Sequence, residues 1–372
     1  MKASILPPVL ADQPWRVLVP LTLLVGFGAA VLYSAAGGSF SPYASSQLLR
    51  YAVFLVAAFV ISYLPVELTR LAAYPIYGAI LLLLIAVEII GQVGGGSQRW
   101  LDLGPIVVQP SELMKPAIVL VLAAYFHALP PGMTGELRPL IPPALLIAVP
   151  VALVLLQPDL GTSLAILFGG GVVMFLAGLP GKWFGGAALA GMVLAPAAYF
   201  FALEDYQRRR VTTFLDPESD PLGSGYHITQ SKIAIGSGGI TGKGFGEGSQ
   251  SHLDYLPEPH TDFVFATMAE EWGLLGGLFV LLVFGIVLRW GLNVAHRAPD
   301  RFSRLLAGGM TATIFFYVAI NLMMVMGLAP VVGIPLPFVS HGGSSMMTNM
   351  ICIGVLMMID RYGRRVRAPG LA

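Results

Sequence analysis

The richest concentration of chemically capable side chains is HLDYLPEPHTDF, His252–Phe263, which gathers Asp254, Glu258, His260 and Asp262, with Glu270 and Glu271 following. Asp262 stands where aqueous loop gives way to an apolar run that begins Phe263-Val264-Phe265. A carboxyl group at such an edge is partly desolvated, which disfavours its charged form and lifts its pKa toward the range where a general base works. The same position suits a helix cap, because an aspartate near a helix N-terminus accepts from free backbone amides. Residue type and spacing admit both readings. Pro257 and Pro259 stiffen the approach. His260 and Asp262 supply too few ligands to define a metal site.

Cations are the second ingredient. Arg99 precedes Trp100 in the segment Gly94–Pro110; Lys115 closes the run PSELMK, three residues after Glu112 on the same helical face; Arg208, Arg209 and Arg210 follow the seventh apolar segment. Arginine suits bidentate phosphate contacts and lysine acts as a point charge, so these residues could form a cationic pocket for a lipid-linked phosphate. They also suit headgroup contacts and local ion pairs. The run GSGGITGKGFGEG, Gly236–Gly248, is not a phosphate loop: the glycine required five positions before Gly242 is replaced by Ser237, and Lys243 is followed by Gly244 rather than Ser or Thr. A flexible or tightly turning loop is expected there. Asp159, in QPDLGT, is expected to cap the sixth apolar segment.

The elements that must position these groups are membrane helices. The 372 residues are 56% hydrophobic and only 11% charged, with a mean hydropathy of +0.78, whereas soluble domains carry roughly 25% charged residues. The apolar runs are Val17–Ala36, Leu48–Leu64, Leu71–Gly91, Ser111–Ala128, Leu140–Leu156, Leu160–Leu179, Trp183–Leu203, Glu271–Gly291, Leu305–Leu328 and Gly343–Tyr362. They are continuous rather than alternating, which in hydrocarbon means helices. The expectation is an all-α integral membrane protein, one polytopic domain over residues 1–372, with about ten transmembrane helices. The first run also has a small-residue site at Ser34-Ala35-Ala36 but is long for a signal peptide. With the N-terminus cytoplasmic, 13 of the 21 Lys and Arg residues fall on the cytoplasmic side, as the positive-inside rule requires. The C-terminus is then cytoplasmic too, and the long polar segment Glu204–Glu270, between helices 7 and 8, faces outward. Its aromatic residues argue that it is ordered, and segments of that length are commonly functional. Glu88 and Asn321 are sparse intramembrane polar groups and make no carboxylate chain for proton coupling. Cys352 is the lone cysteine, which excludes a disulfide framework, and a net charge of +1 gives no reason to expect nucleic-acid binding.

Three stretches resemble the SEDS family (shape, elongation, division, sporulation): Tyr206–Gly273, with QSKIAIGSGG at Gln230–Gly239 closer to the elongation than the division branch; GSQRWLDLGPIVVQPSELMKPAI at Gly96–Ile118; and GIPLPFVSHGGSSMM at Gly333–Met347. The resemblance spans nearly the whole chain. It implies an inverting peptidoglycan glycosyltransferase of the bacterial cytoplasmic (inner) membrane that polymerises lipid II during cell elongation and shape maintenance. A class B penicillin-binding protein and the elongation machinery are the implied partners. The aspartate of the HTDF motif is the family's catalytic carboxylate, here Asp262. Trp100, Glu112 and Lys115 fall in its other motifs, and Arg208 and Arg210 carry over better than Arg209. The sequence identifies no cofactor and leaves the metal requirement open; a divalent cation such as Mg or Mn would be compatible with a diphosphate. His341 departs from the pattern, where tyrosine is expected. A lipid II flippase and a noncatalytic scaffold for a transpeptidase are the competing classes.

Overall fold

The computed structural model describes residues 12–94, 97–102, 104, 107–130, 132–201, 205–216, 223–253, 255–256 and 258–367; Asp254 and Pro257 lie outside them. The chain is an all-α membrane-integral protein. Its long helices are α1 (Trp15–Ala35), α2 (Tyr43–Ser62), α3 (Ala73–Ile90), α4 (Pro110–Ala128), α5 (Ile141–Leu156), α6 (Leu160–Leu176), α7 (Gly181–Phe201), α10 (Val264–Arg297), α11 (Arg301–Val325) and α12 (Gly343–Arg367), with α8 (Asp205–Leu215) and α9 (Ser224–Ser237) between α7 and α10. A helix overlies each apolar run of the sequence. Among the described residues eight are long and apolar enough to cross a membrane, and α6 is shorter, at 17 residues.

Burial separates the bundle into an interior and a lipid-facing rim. α4 is buried along most of its length, whereas α2 leaves Leu49, Val53, Val56 and Val60 exposed. Apolar rims of this kind are stable only against lipid, since water would penalise each exposed side chain. Small residues set the interior spacing: a Cβ at Gly309 of α11 would lie 2.4 Å from Val119 Cγ1 of α4, and one at Gly170 of α6 would lie 2.7 Å from Ile147 Cδ1 of α5. Close approach of this kind replaces the hydrophobic driving force that helices lack inside a bilayer.

Between α3 and α4 the chain forms a small antiparallel sheet, β1 (Gln92–Gly94), β2 (Ser97–Asp102) and β3 (Val107–Val108), in the order β1-β2-β3. It is an exception to the helical expectation, and β2 carries Arg99 and Trp100, with Trp100 opposite Gln92.

Among its described residues, the segment read as a loop contains α8, α9 and one further helical turn at Ser249–His252. α9 packs on α10 and α11 with Ile228 and Ala234 buried, and the Ser231 hydroxyl donates to Val325 O at 2.7 Å. The glycine-rich run turns tightly, and for a reason of contact. A Cβ at Gly242 (φ 82°) would sit 2.0 Å from Glu271 O, and one at Gly238 would sit 1.9 Å from Ala269 O. Glycine alone permits that backbone approach. The run packs there against a break in α10 at Gly273 (φ 61°, ψ −155°). The broken helix exchanges hydrogen bonds with the run: Lys243 N donates to Glu270 O at 2.9 Å, Gly244 N to Glu271 O at 3.1 Å, Leu274 N to Gly239 O at 2.9 Å and Leu275 N to Ile240 O at 3.2 Å. Backbone groups freed by an interrupted membrane helix need such partners. Buried Glu270 fastens the same contact, accepting from Lys243 Nζ at 2.6 Å, Ser249 Oγ at 3.0 Å and Gln250 N at 3.1 Å.

Candidate active site

Asp262 sits in the turn immediately before α10. Phe263, not Asp262, takes the cap position, and no side-chain cap bond is made there. The structure therefore does not use Asp262 as a helix cap. The turn is held from behind: Asn321 Nδ2 of α11 donates to Asp262 O at 3.0 Å and to Ile334 O at 2.8 Å, tying the HTDF turn to the GIPLPF stretch. Phe263 is fully buried beside it. Glu258 adopts a left-handed conformation (φ 48°), and its carboxylate accepts from Thr261 Oγ1 at 2.9 Å. Burial, with Glu258 adding to it, pushes the Asp262 carboxyl up to about 6 from an ordinary 3.8, and the Arg210 guanidinium opposes the rise.

The carboxylate opens on a cavity of about 1070 Å³ whose wall includes Arg50, Arg99, Trp100, Glu112, Asp159 and His341. Four of the residues singled out from sequence, Arg99, Trp100, Glu112 and Asp262, thus converge from β2, α4 and the turn before α10. Arg99 reaches down to the start of α6, where its Nε donates to Gln157 O at 3.1 Å and Nη1 lies 3.7 Å from Asp159 Oδ2. Asp159 caps α6 as expected, accepting from Thr162 N at 3.0 Å, and also presents its carboxylate to the cavity.

Lys115 is not on that wall. It is almost fully buried behind Glu112, donating to Glu112 Oε1 at 2.5 Å and to the Tyr317 hydroxyl at 2.7 Å. The Tyr317 hydroxyl in turn donates to Glu112 Oε2, and Thr348 Oγ1 does so at 3.1 Å. Glu112 is thus the cavity-facing member of a buried network from α4, α11 and α12, with the Lys115 charge neutralised inside it. Arg208 and Arg210, on α8, also lie off the wall. Arg208 Nη2 donates to Phe200 O at 3.1 Å, and Arg210 acts on Asp262 through its field.

Sequence reasoning passed over Arg50, Tyr317 and Thr348, and read Asn321 only as a sparse intramembrane polar group. His341, visible only as a departure from an expected tyrosine, lies against Arg50. The two touch: Arg50 Nη1 donates to His341 Nε2 at 2.9 Å, with Ser46 Oγ 3.0 Å from the same nitrogen. His341 N donates to His260 O at 2.8 Å, and Tyr43 stacks on His260 at 4.0 Å between ring centroids. Burial, then the Arg50 charge and His260, hold the His341 pKa below its ordinary 6.5.

Fold and site together define a polytopic helical membrane protein with a cavity that presents the Asp262 carboxyl and the arginines Arg50 and Arg99. The chain belongs to the FtsW/RodA/SpoVE cell cycle protein family, whose model matches residues 15–365. It is 43% identical over 352 residues to the peptidoglycan glycosyltransferase MrdB of Escherichia coli K12, covering 94% of each chain. Among solved structures it is similar to a chain of a peptidoglycan synthase complex that coordinates polymerization and crosslinking (TM-score 0.80, 36% identity, 94% of this chain and 98% of that one). It is also similar to the rod shape determining protein RodA of Thermus thermophilus (TM-score 0.69, 30% identity, 94% and 97%).

Proposed function

We propose that this chain is a peptidoglycan glycosyltransferase that polymerises lipid II into glycan strands during cell elongation and shape maintenance. The observation that carries the reading is Asp262: a desolvated carboxylate, raised toward neutral pH, open to a large cavity that also presents arginines. In the reaction the 4-hydroxyl of one disaccharide's GlcNAc attacks the anomeric carbon of a lipid-linked MurNAc, with inversion. The hydroxyl is a poor nucleophile and gains from a base as the bond forms, a role typically contributing about 10²–10⁴-fold in rate. Asp262 takes that proton. The departing lipid diphosphate is stable as an anion and needs charge stabilisation rather than an acid. Arg99 and Trp100 contact substrate from β2, Glu112 holds the cavity wall with Lys115 locked behind it, and Arg208 and Arg210 supply positive field from α8.

A divalent cation such as Mg or Mn would accompany the diphosphate of the substrate. Among the described residues no group of three His, Cys, Asp or Glu side chains could hold one alone. Partnership with a class B penicillin-binding protein and the elongation machinery is supported by the likeness to a synthase complex chain. Residence in the cytoplasmic membrane, cytoplasmic termini and an outward-facing site accord with the bias of Lys and Arg. The segment Glu204–Glu270 is the outward-facing loop that carries Asp262 within a single membrane domain. The test is purified protein, with and without its partner, incubated with labelled lipid II. Glycan polymer formed by the wild type and lost by Asp262→Asn supports the reading. Lipid redistribution between leaflets without polymer would assign transport instead, and neither product would leave a scaffold.

A further inference from the structure

The cations expected from sequence to receive the lipid diphosphate are largely committed. Lys115 is buried against Glu112, and Arg99 lies beside Asp159 with two of its nitrogens on backbone carbonyls. Arg50 differs. It lines the same cavity, and among the described residues no carboxylate lies within ion-pair distance of it. Its side-chain partner is the imidazole of His341, which accepts from Nη1 at 2.9 Å. An imidazole that accepts from an arginine presents a lone pair at Nε2 and is neutral there, so it fixes the guanidinium without cancelling its charge. The remaining guanidinium edges stay available for an oxyanion. Gly343 leaves the space the guanidinium occupies, since a Cβ there would stand 3.3 Å from Arg50 Cζ. The pair is joined to the Asp262 turn through His341 N and His260 O.

We infer that Arg50, positioned by His341, is the oxyanion-binding residue of the cavity and takes the diphosphate of the lipid substrate. This rests on the glycosyltransferase reading and deepens it. It also accounts for histidine where tyrosine is expected: an imidazole nitrogen with no proton of its own can only accept from Arg50, whereas a phenol carries a proton to place elsewhere. His341 is a positioning residue and touches no substrate.

The test uses the purified full chain in detergent and reads binding, not polymerisation. Farnesyl diphosphate is the probe and farnesol its uncharged control. Charge-assisted hydrogen bonds lost from a binding site cost about tenfold or more in affinity. Arg50→Gln is expected to weaken farnesyl diphosphate at least about tenfold while farnesol binds as before, and Arg50→Lys is expected to recover part of the loss. His341→Phe should weaken the diphosphate probe alone, with His341→Gln, which keeps an acceptor, restoring it. A readout on unaltered protein guards against misfolded variants. Modification of Arg50 by phenylglyoxal, followed by mass spectrometry, should slow in the presence of farnesyl diphosphate. Protection by inorganic pyrophosphate as well would show that the free anion suffices; protection by the lipid alone would make the prenyl chain part of recognition. Wild-type affinity in Arg50→Gln, or no protection of Arg50 by either probe, overturns the inference. If lipid II polymerisation is intact in the same preparations, that failure leaves the glycosyltransferase reading standing.

Discussion

Lowering the pH should switch off polymerisation well above the range in which an ordinary aspartate titrates. With its pKa at about 6, Asp262 is about 91% ionised at pH 7 and about 9% at pH 5, so kcat/KM, which reports the free enzyme, should fall about tenfold between them. A carboxyl at 3.8 would stay about 94% ionised at pH 5 and lose almost nothing. The sign follows from the role, since only the ionised form accepts a proton: activity is full above the pKa and is lost as pH falls through it. The neighbours set the direction of two further shifts. Arg210 favours the charged form, so Arg210→Ala should move the acidic limb to higher pH. Glu258 disfavours it, so Glu258→Gln should move the limb lower. The assay is initial-rate glycan synthesis from labelled lipid II at subsaturating substrate across pH 4.5–8 (about the span that brackets both pKa values), with binding followed in parallel. A profile flat to pH 5, or limbs unmoved in both variants, would refute Asp262 as the titrating base.

Removing one partner of the buried network on α4 should be severe. Lys115→Ala strands the Glu112 carboxylate and should cost about 3–5 kcal/mol, seen as a loss of folded protein in a detergent melt, whereas replacing Glu112 and Lys115 together by apolar residues should cost much less. Gly242→Ala places a methyl 2.0 Å from Glu271 O at a φ that side chains avoid and should prevent the loop from docking, read as protease sensitivity within residues 236–248. Asn321→Leu releases Asp262 O and Ile334 O. Each lost bond is worth about 1 kcal/mol, and the misplaced base should lower kcat several-fold while prenyl-diphosphate affinity changes little.

How much was legible in the sequence depended on whether a signal was local. Long apolar runs bounded by charge gave the helices, because hydrocarbon leaves the backbone few alternatives. Asp262 was readable from a carboxylate at a hydrophobic boundary and Arg99 from a cation set against the topology, whereas Trp100 came only from the family resemblance. Lys115 was readable as a charge, but its direction was not. Whether it faced the cavity or the interior depended on Tyr317, some 200 residues away on α11. Arg50 was hidden likewise, since its contact with His341 joins α2 to the turn before α12 and spans 291 positions. The glycine run was readable as a tight turn, but only the break in α10 explains why so many glycines stand there.

That break bears on how the protein can be handled. Because residues 239–244 complete the hydrogen bonding of α10, the stretch is a splint rather than slack between elements. A fluorophore or affinity tag inserted there would take the splint away and loosen the helix whose first turn follows Asp262.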